Sequence, residues 1–202
     1  MLHIVNMKKF IFIIFIILLS SLFLFFNTEE INLPPGILIS DAPTQEDIKI
    51  KIIREDIDYI ITAIASYDIK ARVLAKKQYS DKPSDISSTD LALGWQKMSS
   101  NELLKTIKIT QNNRFYFWYT KEPNYPRRDI ETQSANTHII AADKNVELQL
   151  KKLNIGSIVH MKGYLVNVKS KKDKFIWNSS TTRDDTGKGA CEIIYVKSIE
   201  VN

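Results

Sequence analysis

The chain holds one cysteine, Cys191, in the stretch TRDDTGKGACEIIYV, between a run rich in glycine, charge and hydroxyls and an apolar segment. A thiol attacks as its thiolate, so it needs a neighbouring imidazole and donors that can hold an oxyanion. Of the three histidines, His3 precedes a long apolar run and His160 alternates with Val159 and Met161 as strand residues do. That leaves His138, in SANTHII, as the imidazole of a Cys–His pair. Asp184, Asp185 or Glu192 could orient the ring, Asp185 being the third member of the candidate catalytic set, and Arg183 could grip a substrate carboxylate with two parallel hydrogen bonds. Cys191, His138 and Asp185 would then carry acyl transfer or peptide cleavage on cell-wall or peptide substrates. The opposing reading is that Cys191 is a small buried residue and His138 a hydrogen-bonded one, because free cysteine is among the most buried residue types. The compact histidine–glycine–cysteine arrangement of peptidoglycan L,D-transpeptidases is missing, so the non-catalytic reading prevails.

Other chemistry is excluded more directly. DTGKG lacks the spacing of a phosphate-binding loop and precedes a strand rather than a helix. No cluster has the spacing of zinc ligands, so neither metal nor cofactor is expected. A lone cysteine cannot form an internal disulfide. Trp95, Trp118 and Trp177, with Tyr116 and Tyr125, are candidates for a groove that takes sugar rings or a peptide, since flat apolar faces with a polar edge suit both; the alternative is that they fill a core. Arg127, Arg128 and the KSKKDK run could meet an anionic surface, although such runs commonly serve as solvated hairpin tips.

Placement in the cell is written at the start of the chain. Lys8 and Lys9 introduce an apolar run, residues 10–26, with nothing more polar than Ser20 and Ser21. Such a run covers about 25 Å as a helix, at the short end of what crosses a ~30 Å hydrocarbon core. It is longer than a typical signal-peptide core and ends in Phe25, Phe26 and Asn27 without a small-residue cleavage site, which favours an uncleaved signal-anchor. The lysines set residues 1–9 in the cytoplasm and the bulk of the chain in the periplasm, as a single-pass protein of the cell membrane. Met7 is an alternative start. The net charge of +5 falls to +3 beyond the lysine pair, which demands no nucleic-acid partner.

The proline-bearing residues 27–47 read as a tether. Residues 48–202 read as one domain in which Ile48, Ile50 and Ile52, and then Tyr67, Ile69, Ala71 and Val73, mark half-buried strands by their alternation. TDLALGW opens a helical turn, Ser99 and Glu102 have capping-box spacing, and Asn112–Asn113 makes the turn of an aromatic hairpin. DKNVELQLKKL places Val146, Leu150 and Leu153 on one helix face, with Glu147 and Lys151 four residues apart. The fold class is α+β, β-dominated: a small barrel of OB or SH3-like kind with short helices, behind an N-terminal transmembrane helix.

The stretches LPPGILISDAPTQ, DLALGWQKMS, RFYFWY, SANTHIIAA, GSIVHMKGYLVNV and SSTTRDDTGKGACEIIYV together resemble an uncharacterised family of bacterial membrane-anchored or exported proteins. The family pattern carries proline at the position of Ala141 and glycine at that of Gln96, while His138, Trp95 and Cys191 match it. The resemblance implies export and anchoring and brings no activity with it. The function that follows is a non-enzymatic binding or accessory module of the envelope, holding a protein or polymer partner through a barrel face and the loop Thr181–Gly189.

Overall fold

The computed structural model describes residues 33–122, 127–182, 185, 187 and 189–201. The apolar run 10–26, Tyr125, Arg183 and Asp184 lie outside them. Residues Leu33–Asn202 form one compact unit. In chain order its elements are β1 (Thr44–Glu55), β2 (Tyr59–Gln78), β3 (Thr89–Gly94), α1 (Asn101–Leu104), β4 (Ile107–Asn112), β5 (Phe115–Thr120), α2 (Arg127–Thr132), β6 (Ser134–Ala141), α3 (Lys144–Lys152), β7 (Ile158–Ser170), β8 (Ile176–Asn178) and β9 (Glu192–Val201). The fold is α+β and dominated by strands.

β2 organises the rest. Every second residue from Ile61 to Val73 is buried, so one face of a 20-residue strand supplies a continuous apolar row. Its first half pairs with β1 and its second half with β3 on the same edge, while β7 runs along the other edge. The remaining pairings are β3 with β6, β6 with β9 in parallel, and β9 with β7. The ladder β2–β3–β6–β9–β7 therefore returns to β2 and closes, leaving β1 and β8 at its margins. Closure removes most exposed strand edges. The inward residues, among them Tyr67, Ile69, Leu91, Leu93, Ile139, Leu165 and Ile194, make the central core. Val146, Leu150 and Leu153 of the α3 segment pack onto it. Asp143 caps the helix start through Val146 N–H, and Lys76 donates to the carbonyls of Leu150, Lys151 and Leu153 at its end.

β4 and β5 form a separate two-stranded hairpin. Its inward residues, Ile107, Ile109, Tyr116 and Trp118, pack with Ala92 of β3 and with Met98 and Ile130. TDLALG is β3, and the expected helical turn begins only after it, as the 3-10 turn Gln96–Ser99 with Trp95 as its N-cap. All six residues of β3 are buried, because the core covers one face and the hairpin the other, so no alternation shows. The hairpin turn is one residue later than the asparagine pair suggests, at Asn113–Arg114, both with positive φ. The helix N-cap is Ser100 rather than Ser99. Ser99 Oγ instead accepts from Leu38 and Ile39 N–H, and Ile39 is buried, so the described part of the proline-bearing segment is docked on the domain. β1 departs from expectation too, since Ile50 and Ile52 are 66% and 57% exposed and face no core.

Gly163 marks a close approach between β7 and β9. A Cβ there would lie 1.9 Å from the carbonyl oxygen of Tyr195, beside an irregularity in the β7–β9 ladder. Gly163→Ala should therefore lower the unfolding free energy by about 2 kcal/mol or more, read as a fall in the urea midpoint.

Candidate functional site

Asn113 and Arg114 occupy the two central positions of a hairpin turn with φ of +50° and +67°. That is type I′ geometry, which suits asparagine but costs about 1 kcal/mol for an arginine. The Arg114 side chain offsets this cost. Its Nη1 donates to Asp90 Oδ1 at 2.9 Å and to the Ser87 carbonyl at 2.8 Å. Its Nε donates to Asp81 Oδ2 at 3.0 Å and Nη2 to Ser84 Oγ at 3.0 Å. The guanidinium lies 4.2 Å from the Tyr79 ring centroid and 5.7 Å from that of Trp177. The backbone is held as well, with Arg114 N–H donating to Tyr79 Oη and its carbonyl accepting from Asn136 Nδ2.

Asp90 is fully buried and joins two partners. One oxygen takes Arg114, and the other lies 2.9 Å from Nδ1 of His138, its neighbour across the β3–β6 ladder. The imidazole is itself buried and lies 4.4 Å from the Trp177 ring. His138 is thus clamped between a carboxylate, an indole and the hairpin tip.

Cys191 sits just before β9, next to Asn136. Its sulfur is 3.7 Å from Asn136 Nδ2 and 4.0 Å from the Arg114 carbonyl. Burial pushes the thiol pKa up to about 11 from 9.0, only partly opposed by the Asn136 hydrogen bond. Asp185 accepts a 2.7 Å hydrogen bond from Ser180 Oγ. The candidate triad is therefore not assembled: the acid beside His138 is Asp90, Asp185 is bound to a serine, and Cys191 contacts an amide instead of the imidazole. Asp90 and Arg114 were missed in the sequence because their partners come from three segments far apart in the chain. The double positive φ of the turn, carried by an arginine, shows only in the structure.

The tryptophans separate in the same way. Trp95 is 1% exposed within the central core, which makes it packing and removes it as a binding surface. Trp177 covers His138. Trp118 borders a cavity of about 250 Å³ walled by residues 115–118 of β5, residues 134–136 of β6 and residues 190–192. Thr182, Asp185 and Gly187 of the glycine-rich loop complete the wall, and Arg127 of α2 lies over the Trp118 ring while pairing with Glu131. Tyr116 Oη reaches Ser134 Oγ at 3.1 Å and fixes the cavity floor.

Comparison with family models, with curated proteins and with solved structures finds no match to this chain. Among the described residues, no three His, Cys, Asp or Glu side chains converge as metal ligands would, and no helix is long and apolar enough to cross a membrane.

Two outcomes follow. A thiol with its pKa raised from 9.0 to about 11 should react with a disulfide reagent about 100-fold more slowly at pH 8 in the native protein than in urea. Asp81 is held at about 2, below its ordinary 3.8, first by its Arg114 hydrogen bond. Its contribution to stability is complete above the unfolded value and disappears as the pH falls through about 2. Urea midpoints should accordingly fall less between pH 5 and pH 2 in Asp81→Asn than in the unaltered chain, which starts higher.

Proposed function

We propose that this protein is a non-enzymatic binding module of the bacterial envelope, tethered to the cell membrane by residues 10–26 with the domain outside. The strand order β2–β3–β6–β9–β7, closed on β2 and carrying a helix between β6 and β7, has the connectivity of an OB-type barrel. Barrels of that kind bind ligands on the outer face of their second and third strands and on the loops that flank it. Here those strands are β3 and β6, and the hairpin covers their outer face. The space left open lies beside the hairpin, next to the loop that leads into β9.

The observation that carries the reading is the aromatic-walled cavity bordered by Trp118 and by Thr182, Asp185 and Gly187 of the glycine-rich loop. It offers apolar faces, amides and carboxylates around one volume, as small-molecule and polymer-end sites do. The alternative of a Cys–His enzyme has less support, because the only thiol is held protonated and His138 is committed to Asp90.

The test uses the full chain in detergent micelles, titrated with soluble disaccharide–peptide fragments of peptidoglycan and followed by tryptophan fluorescence and mass spectrometry. Saturable binding with no consumption of fragment is expected. Trp118→Ala should weaken it roughly tenfold, about 1.4 kcal/mol, while Ile57→Ser on the far exposed turn leaves it unchanged. Turnover of the fragments that vanishes in Cys191→Ala would overturn the reading in favour of the enzyme.

A further inference from the structure

The cavity wall has an unusual composition. Residues 115–118 of β5 all border it, as do residues 134–136 of β6. Successive residues of a strand point to opposite faces, so a wall made of consecutive residues is formed by strand edges. Both edges are open. β5 pairs with β4 and with no other described strand. β6 is paired to β3 from Ser134 onward, but its pairing to β9 starts only at Thr137 opposite Glu192. The chain before that point is drawn away, because the carbonyl of Cys191 accepts from Ser180 N–H.

The register states which groups are free. In a two-residue hairpin the pair that flanks the turn, Asn112 and Phe115, is hydrogen-bonded, and hydrogen-bonded and non-hydrogen-bonded pairs then alternate. Gln111–Tyr116 and Ile109–Trp118 are therefore non-hydrogen-bonded pairs. Tyr116 and Trp118 turn their N–H and C=O groups away from β4, toward the open edge that borders the cavity. Main-chain donors and acceptors seldom stay unpaired beneath apolar walls.

We infer that the occupant is an extended peptide segment, which enters as an added strand between the free edges of β5 and β6. The inference rests on the binding reading above and names the ligand class for that cavity. A peptide offers donors and acceptors at the same repeat as the strand edge, whereas the hydroxyls of a glycan do not. At about 250 Å³ the cavity takes a short segment and not a folded partner.

The experiment exposes the full chain in detergent micelles to a synthetic array of random octapeptides and, separately, to glycan strands stripped of their stem peptides. The tightest octapeptide is then N-methylated one amide at a time. The expected result is retention of a subset of octapeptides, with methylation at every second amide weakening binding roughly tenfold and the intervening positions changing it less than about twofold. Retention that ignores backbone methylation would mean docking by side chains and would overturn strand addition. Binding of glycan strands with no octapeptide retained would overturn it too, while leaving the cavity as a binding site. Absence of binding to both probes would overturn the inference and the reading beneath it together.

Discussion

One guanidinium decides whether this domain has a site at all. Arg114 stands at the tip of a hairpin that shares no ladder with the closed sheet, and its contacts reach Asp90 of β3, Ser87 and Asp81 on the segment before it, and two aromatic rings. Exposed ion pairs are worth little, but this one engages a carboxylate with no exposure. Removing one partner would strand a buried charge, at a cost on the order of 3–5 kcal/mol. Strain in the turn, about 1 kcal/mol, is small beside that figure. The arginine therefore tolerates a backbone conformation that its type disfavours, and the conformation in turn aims the side chain at Asp90.

Fixing the tip fixes the cavity. With the Arg114 carbonyl bonded to Asn136 and Tyr116 bonded to Ser134, β5 is held along β6 without pairing to it. The gap beside them arises from a mismatch in strand length. β6 begins at Ser134, three residues before its parallel partner β9 has a residue to offer at Glu192. Cys191 stands at this divergence. Its half-buried thiol sits between the Asn136 amide and the Arg114 carbonyl, and the raised pKa fits a packing role better than catalysis.

What the sequence made legible follows from how many faces of each element the core covers. β2 is covered on one face over its buried stretch, and Tyr67, Ile69, Ala71 and Val73 alternate cleanly, so the strand was readable. The α3 helix was readable for the same reason, from Val146, Leu150 and Leu153. β3 is covered on both faces whereas most of β1 is exposed, and in both cases the pattern misleads. Leu91, Ala92 and Leu93 form an unbroken apolar run, while Ile50 and Ile52 alternate with lysines yet face solvent. The candidate site was legible only in part. Trp118 and the glycine-rich loop do meet at one cavity, and His138 does find a carboxylate. That carboxylate, Asp90, comes from a strand paired to β6 across a long connection, and neither composition nor spacing announces such a neighbour.

The same geometry bears on what kind of ligand the domain can accept. On an open barrel of this connectivity the outer face of β3 and β6 would be a broad, flat surface suited to a polymer laid across it. Here that face is spent on Asp90, His138 and Asn136, which contact one another's strands or the hairpin tip, with Trp177 laid over the imidazole. On the proposed reading, recognition shifts sideways, from a face to a pair of edges. A face selects by shape and stacking, whereas an edge selects by main-chain hydrogen bonding and leaves side-chain preference to the few groups around it. On that reading, a domain that trades one for the other gives up the binding of long flat polymers and gains the capacity to hold an extended chain by its backbone.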